Sequence, residues 1–214
     1  MPLDRILAAA LEIVDAQGAD ALSMRSLAQH LGSGTATLYR HFASRSELAA
    51  MVVDRMLGDL HLDPRATGAG LAAPPWQEAC ISFAQDMFDA LARHGNVAPL
   101  LIGLVPMGPN ALTQRERILS VLLAAGFPPA TAALAYASLS RYVLGFAVQL
   151  TVSQAEQAQQ PGQAELSAKF HELDPSQYPA TVAVADHLPV PLAEEFAFGL
   201  QRIVAGLEVL HGSA

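Results

Sequence analysis

The sequence predicts an all-α chain. Ala and Leu dominate a 214-residue composition that is 52% hydrophobic but only 6% aromatic. Apolar residues recur at spacings of three and four, and few stretches alternate with period two. A chain of this length and apolar content buries a sizeable core, either as one large domain or as a small domain joined to a larger one.

Local signals define each element. The first helix carries Leu3, Ile6, Leu7, Ala10, Leu11 and Val14 on one face and stops at Gln17-Gly18. Ser23 is an N-cap for a second helix with Leu27, Ala28 and Leu31 on its apolar side, and Gly32 ends it. Gly32-Ser33-Gly34 makes a tight connection into a third short helix, Thr35 to Phe42. Ser44-Arg45-Ser46-Glu47 then has the S-x-x-E pattern of a capping box for a fourth. Two short helices across a glycine turn have helix-turn-helix geometry. The fourth helix continues through Leu48, Met51, Val52, Met56 and Leu60, long enough to lean on both the N-terminal helices and the C-terminal ones.

Asp63 to Pro75, rich in Pro, Gly and Ala, reads as an intramolecular connection. A new amphipathic pattern begins at Trp76, Cys80, Phe83, Met87 and Leu91. Next come helices over Val97 to Leu104, Ala111 to Ala125 and Ala130 to Gln157, punctuated by Pro106, Pro109 and Pro128-Pro129. Gln159 to Pro191, with its prolines, is expected to be a long mobile loop with room for a short helix. Ala193 to Leu210 closes the chain as a helix. The predicted organisation is an N-terminal three-helix helix-turn-helix domain (1–47) and a C-terminal helical domain for ligand binding and dimerisation (48–214), with 48–62 as the connecting helix.

Composition narrows the function classes. Cys80 is the single cysteine, so no internal disulfide forms, and seven scattered histidines offer no metal-binding spacing. A reducing cytoplasm suits such a chain. Asp4, Glu12 and Asp15 interrupt the apolar residues of the N-terminus, which reads as the start of a folded domain rather than a signal peptide. Residues 118–140 carry no formal charge, but Gly126, Pro128 and Pro129 break the run, so no membrane span is expected. A net charge of −8 argues against indiscriminate coating of nucleic acid. Ala21 to Ser46 nevertheless contains Arg25, Arg40, Arg45, His30 and His41 and no carboxylate, a local cationic patch on an acidic body.

In a helix-turn-helix the second helix enters the major groove, and flanking side chains bind phosphates. Here Leu38 and Phe42 are four apart and can face the core, leaving Thr35, Ala36, Thr37, Tyr39, Arg40 and His41 on the DNA side. The hydroxyls of Thr35 and Thr37 are short enough to reach base edges, and Arg40 can read guanine or bind phosphate. Tyr39, His41 and Arg45 read as backbone clamps, and Arg25 is placed to reach a phosphate or a base.

The arrangement Ser23-Met24-Arg25-Ser26-Leu27-Ala28, Leu31-Gly32, Thr37-Leu38-Tyr39-Arg40-His41-Phe42 and Glu47-Leu48 resembles the tetracycline-repressor (TetR) family of bacterial regulators over residues 3–60. A second resemblance, to the tetracycline repressors themselves, lies in Phe196-Ala197-Phe198-Gly199-Leu200, Ile203 and Gly206-Leu207-Glu208. The resemblance implies a homodimer whose subunits each carry a DNA head and a helical ligand domain, with helix four transmitting ligand binding. The chain departs from the pattern at Ser33, where such sequences commonly carry valine. The chelating histidine and late acidic residue of tetracycline repressors are replaced by the apolar segment Val97 to Leu101 and by Gln149. No magnesium–tetracycline effector, metal or cofactor is therefore implied.

Phe83, Met87, Leu101, Met107, Phe127, Tyr142, Phe146 and Gln149 are candidates to line an effector pocket, although most would be ordinary core in any bundle. Arg141 is the sole charge between Arg117 and Glu156. It reads either as a buried arginine paired with Asp86 or Asp89, or as an anchor for an anionic effector. His94 reads as a helix cap or a ligand donor, and Cys80 as core. Gly145, Gly199 and Gly206 permit close helix approach on the long and last helices, where a four-helix dimer contact is expected. No nucleophile, metal set or phosphate loop suggests an enzyme. Two readings stay open: a repressor released from double-stranded, palindromic operator DNA by a small-molecule effector, and a helical ligand-binding or protein-interaction module that no longer binds DNA.

Overall fold

The computed structural model describes residues 1–60, 75–150 and 162–212. Among these residues every regular element is helical: eleven α-helices and three short 3-10 turns. They belong to two compact units, residues 1–151 with 200–214, and residues 152–199.

The larger unit begins with α1 (Leu3–Gln17), a 3-10 turn (Ala19–Ala21), α2 (Met24–His30), α3 (Thr35–Tyr39) and α4 (Arg45–Gly58). α1 buries Ile6, Leu7, Ala9, Ala10, Ile13 and Val14. Leu3 stays exposed and Leu11 half-exposed, so the buried stripe is centred closer to Ile13 than the apolar spacing suggests. α4 packs on α1, and its Leu48, Val52 and Val53 are fully buried. The expected connection Asp63 to Pro75 lies almost wholly outside the described residues.

α5 (Trp76–Arg93), a 3-10 turn (Gly95–Val97), α6 (Ala98–Leu101), α7 (Pro109–Ala124) and α8 (Pro129–Gln149) form the bundle. α8 packs against α5, α6 and α7. The uncharged run is broken as its glycine and prolines require. The N–H groups of Gly126 and Phe127 close onto the carbonyls of Leu123 and Leu122, with Gly126 at φ +97°, so α7 ends in a Schellman turn. Among the described residues α8 is the one helix long and apolar enough to cross a membrane, and its apolar length serves the bundle core through Ala132, Ala135, Leu139, Val143 and Ala147. The segment expected to prolong this helix to Gln157 lies, beyond Leu150, outside the described residues.

The last helix, α11 (Leu192–Gly212), reaches the larger unit with its C-terminal part. There His211 stacks on Phe127 at 4.6 Å, and Phe127 meets Trp76 edge-on at 4.9 Å. Gln77 on α5 donates to Glu208 at 3.1 Å. The smaller unit corrects the expectation of a long loop. It holds α9 (Gln163–His171), α10 (Pro179–Ala183) and a 3-10 turn (Ala185–His187) before the start of α11. Pro179 sits in the first turn of its helix, where a missing N–H costs nothing, so a proline read as a loop signal is here a helix start.

Candidate DNA-binding head and effector cavity

α2 starts with a reciprocal cap: the Ser26 N–H donates to Ser23 Oγ, and the Ser23 N–H to Ser26 Oγ, each at 3.0 Å. It ends in a second Schellman turn. Gly32, at φ +60°, donates to the Gln29 carbonyl at 3.1 Å, and Ser33 donates to the Ala28 carbonyl at 2.9 Å. This turn aims α3 away from α2. Leu38 is fully buried and Phe42 nearly so, which anchors the helix by one face. Thr35, Ala36, Tyr39 and Arg40 are exposed, and Thr37 and His41 are half-exposed. The regular part of α3 stops at Tyr39, and the chain turns through His41 and Phe42, whose N–H groups both reach the Leu38 carbonyl.

Arg25 is exposed on the first turn of α2. Arg45 is placed differently from a simple phosphate clamp. Its Nε donates to the Leu22 carbonyl at 2.7 Å and its Nη2 to the Ala19 carbonyl at 2.9 Å, tying the start of α4 to the turn before α2. The Ser44 hydroxyl accepts from the Glu47 N–H at 3.1 Å, while the Glu47 carboxylate accepts from Ala43, one residue earlier than a full capping box would have it.

Behind the head, a cavity of about 500 Å³ opens between α4, α5, α6, α7 and α8, a size suited to a small organic molecule. α4 and its end contribute Leu57 and Leu60, α5 Phe83 and Met87, and α6 Leu101. The segment after α6 contributes Gly103 to Pro106. α7 adds Ala111, Gln114 and Arg115, and α8 adds Tyr136, Ala137, Ser140, Arg141 and Leu144. Of the nine residues expected from the sequence, Phe83, Met87, Leu101 and Arg141 line this space. Phe127 is instead held between Trp76 and His211. Tyr142 and Phe146 contact each other at 4.9 Å, and Gln149 is exposed. Met107 is 63% exposed, with its sulfur 3.4 Å from Arg115. The lining residues of α8 recur at 136, 137, 140, 141 and 144, one helical face. Tyr142, Phe146 and Gln149 belong to the nearly opposite face of the helix.

Arg141 is exposed within the subunit, which corrects the expectation of a buried arginine. Among the described residues no ion pair joins it to Asp86 or Asp89. Asp86 accepts from Ser82 at 3.2 Å and Asp89 from Gln85 at 2.9 Å. Among the described residues His94 caps no carbonyl with its ring. Its Nδ1 lies 2.8 Å from the Asp15 carboxylate, and Asn96 donates to the Asp15 carbonyl at 2.9 Å, so the end of α1 is bonded to the turn that leads into α6. Cys80 is fully buried, and desolvation pushes its thiol up to about 12, so it stays protonated as part of the core.

Two cavity residues and one buried acid are not evident from the sequence. Gln114 is only 8% exposed and lines the cavity, and its side chain has no hydrogen bond among the described residues. Arg115 donates to the Pro106 carbonyl at 2.8 Å and to Tyr136 Oη at 3.3 Å, with its guanidinium 5.6 Å from the Tyr136 ring centroid. Both sit in a Gln-Arg-Glu-Arg stretch that looks like a solvated face; only the 3.6-residue phase from Ala111 and Ile118 marks Gln114 as inward. The buried acid, Asp54 on α4, caps α7 from outside that helix. Its carboxylate accepts from the Ala111 N–H at 2.9 Å, the Asn110 N–H at 3.4 Å and Asn110 Nδ2 at 3.1 Å.

Comparison with known proteins matches this geometry to a family. Residues 6–52 match the family described as "Bacterial regulatory proteins, tetR family", and residues 71–211 match "Tetracyclin repressor-like, C-terminal domain". The chain belongs to the TetR family of bacterial transcriptional regulators. The HTH-type transcriptional repressor DrrR1 of Streptomyces coeruleorubidus is 30% identical, covering 98% of this chain and 78% of that protein. The apo structure of ActR from Streptomyces coelicolor superposes with a TM-score of 0.83 at 31% identity, covering 100% of this chain and 97% of that one. ActR in complex with actinorhodin gives 0.82 at 30% identity, with 99% of each chain covered. As a member of this family the chain is a ligand-responsive DNA-binding repressor.

Proposed function

We propose that this TetR-family repressor acts in the cytoplasm as a homodimer on palindromic operator DNA, and that an effector entering the cavity releases it. The observation that carries this reading is that α4 belongs to both sites. Its first residue, Arg45, is bonded to the head, and its far end supplies Leu57 and Leu60 to the cavity wall. A ligand that moves Leu57 and Leu60 moves the helix on which the head is mounted. Asp54 adds a second coupling, because α7 carries Gln114 and Arg115 and is capped by α4.

On the DNA side, Thr35, Ala36, Thr37, Tyr39, Arg40 and His41 present the exposed face of α3 to the major groove. Arg25 flanks it, and Arg45 holds the head in register. The head corresponds to residues 1–47 and the effector and dimerisation part to residues 48–214. Dimerisation is supported by Gly145 and Gly206. A Cβ built on either meets nothing within 4 Å, so no described part of the subunit needs their small size. Leu134, Val209 and Leu210 are 69%, 70% and 59% exposed on the same two helices.

Selection of bound duplexes from a random pool tests the reading. Enrichment of an inverted repeat, with half-sites about one or more helical turns apart, is the expected result. Binding should weaken with salt by a slope of about 0.9 per neutralised phosphate. A pool that enriches no sequence would overturn it and favour a helical ligand-binding module that has left DNA.

A further inference from the structure

We infer that the effector is an organic anion: an apolar ring body bearing a carboxylate, sulfonate or ionised phenol, bound between Arg115 and Arg141. The inference rests on the proposed effector role of the cavity and adds the chemistry of the ligand. The chain carries −8 overall, yet among the described residues the cavity lining contains two guanidinium groups and no aspartate or glutamate. The partners of Arg115 are neutral: a backbone carbonyl, a phenol oxygen, a thioether and the face of Tyr136. They fix its direction without cancelling its charge. Arg141, one helical turn from Ala137 on the same lining face of α8, has no carboxylate within ion-pair distance among the described residues.

The chemistry of these groups selects the ligand. A guanidinium offers up to five donors in a planar fork and binds oxyanions more strongly than it binds neutral acceptors. Phe83, Met87, Leu101 and Leu104 give the same lining the apolar surface for a ring body, and a ligand that covers the guanidinium groups excludes water from them and strengthens the charge–charge contact. A cation would meet two like charges in that setting. A neutral ligand would leave both guanidinium groups uncompensated. Gln114, buried and with no side-chain hydrogen bond among the described residues, is positioned to meet a second polar atom of the same molecule.

The test compares two fluorescent probes on the full chain: anilinonaphthalene sulfonate, and phenyl naphthylamine, which has the same rings without the sulfonate. Both are expected to bind, and Ala137→Trp, which fills the cavity, is expected to abolish both signals. Arg141→Met and Arg115→Met should each weaken the sulfonate about tenfold and leave the neutral probe within about twofold, whereas Arg141→Lys should retain most of the sulfonate affinity. Arg141 is exposed, so its variants should melt as the parent does, and they carry the test if Arg115→Met loses its fold. Equal loss of both probes in Arg141→Met overturns the inference. So does sulfonate binding that survives Ala137→Trp, or a wild-type chain that does not bind the sulfonate. Operator selection on the same preparations separates the two readings. A chain that enriches an operator but does not discriminate charge refutes only the anion. One that discriminates charge but enriches no DNA keeps the cavity assignment and loses the repressor function.

Discussion

At the scale of single residues, the informative positions are polar groups in apolar settings. The hydroxyl of Ser33 is buried with no hydrogen-bond partner among the described residues, just after the turn glycine of the head. An unpaired buried hydroxyl is a net cost, so Ser33→Ala should raise stability by about 1 kcal/mol in urea denaturation. A lower midpoint would mean that the hydroxyl is satisfied after all. Asp54 is the opposite case, a buried carboxylate that accepts hydrogen bonds from the first residues of α7. Asp54→Ala leaves the first N–H groups of that helix unpaired and should cost about 2 kcal/mol. Gly108→Ala should cost a comparable amount, since its Cβ would land on the Asp54 carboxylate. Thermal melts of the two variants check both, and a neutral Gly108→Ala would show that α4 and α7 can slide apart freely. The departure at Ser33 was legible in the sequence. Asp54 was not, because nothing local distinguishes an acid on a helix from a cap for a helix more than fifty residues away.

At the scale of elements, the head is the part most strongly written into local signals. Ser23, Gly32 and Ser44 are caps, and Leu38 and Phe42 form an anchor four residues apart; each works within one or two turns of chain. The division of α3 leads to a distinct outcome for its arginine. If Arg40 binds phosphate, Arg40→Ala should weaken all operators alike and reduce the salt slope by about one. If it reads a base, the slope stays and one position of the selected site loses its preference. α9 shows the limit of composition, since its helix lies in a segment whose prolines suggested a loop. There the ring of His171 lies 2.8 Å from Asp186 Oδ1 through Nε2 and 2.8 Å from the Ser167 carbonyl through Nδ1. Both partners are acceptors, so both nitrogens need a proton. The hydrogen bond to Asp186 first, and then the carbonyl, raise the His171 pKa above its ordinary value. A raised histidine stabilises α9 below its unfolded pKa of about 6.5, and that contribution is lost as pH rises through the higher folded value. An NMR titration of the His171 ring should therefore have its midpoint above that of free histidine, and Asp186→Asn should bring it back down.

At the scale of the whole molecule, the open side of Gly145 and Gly206 asks for a second copy. Sedimentation of the full chain should give twice the 22.5 kDa of one chain. A Cβ at Gly206 meets no described atom within 4 Å and arginine favours the helix over glycine, so Gly206→Arg should keep the helical circular dichroism while shifting the mass to one chain. A variant that stays dimeric would place the interface elsewhere. The all-α class, the family, the head with its turn and exposed recognition face, and the break between α7 and α8 are all legible in the residues alone. Each of these depends on caps, glycines and apolar spacing that act over a few residues. Tertiary packing settles the remainder: which face of α8 lines the cavity, that Gln114 and Arg115 join Arg141 there, that Arg45 bonds to the head's own backbone, and that Phe127 belongs to the Trp76–His211 stack. Those outcomes depend on how helices are rotated against one another. A rotation of one residue, about 100°, exchanges Arg141 for Tyr142 at the cavity wall without altering any local signal in the chain.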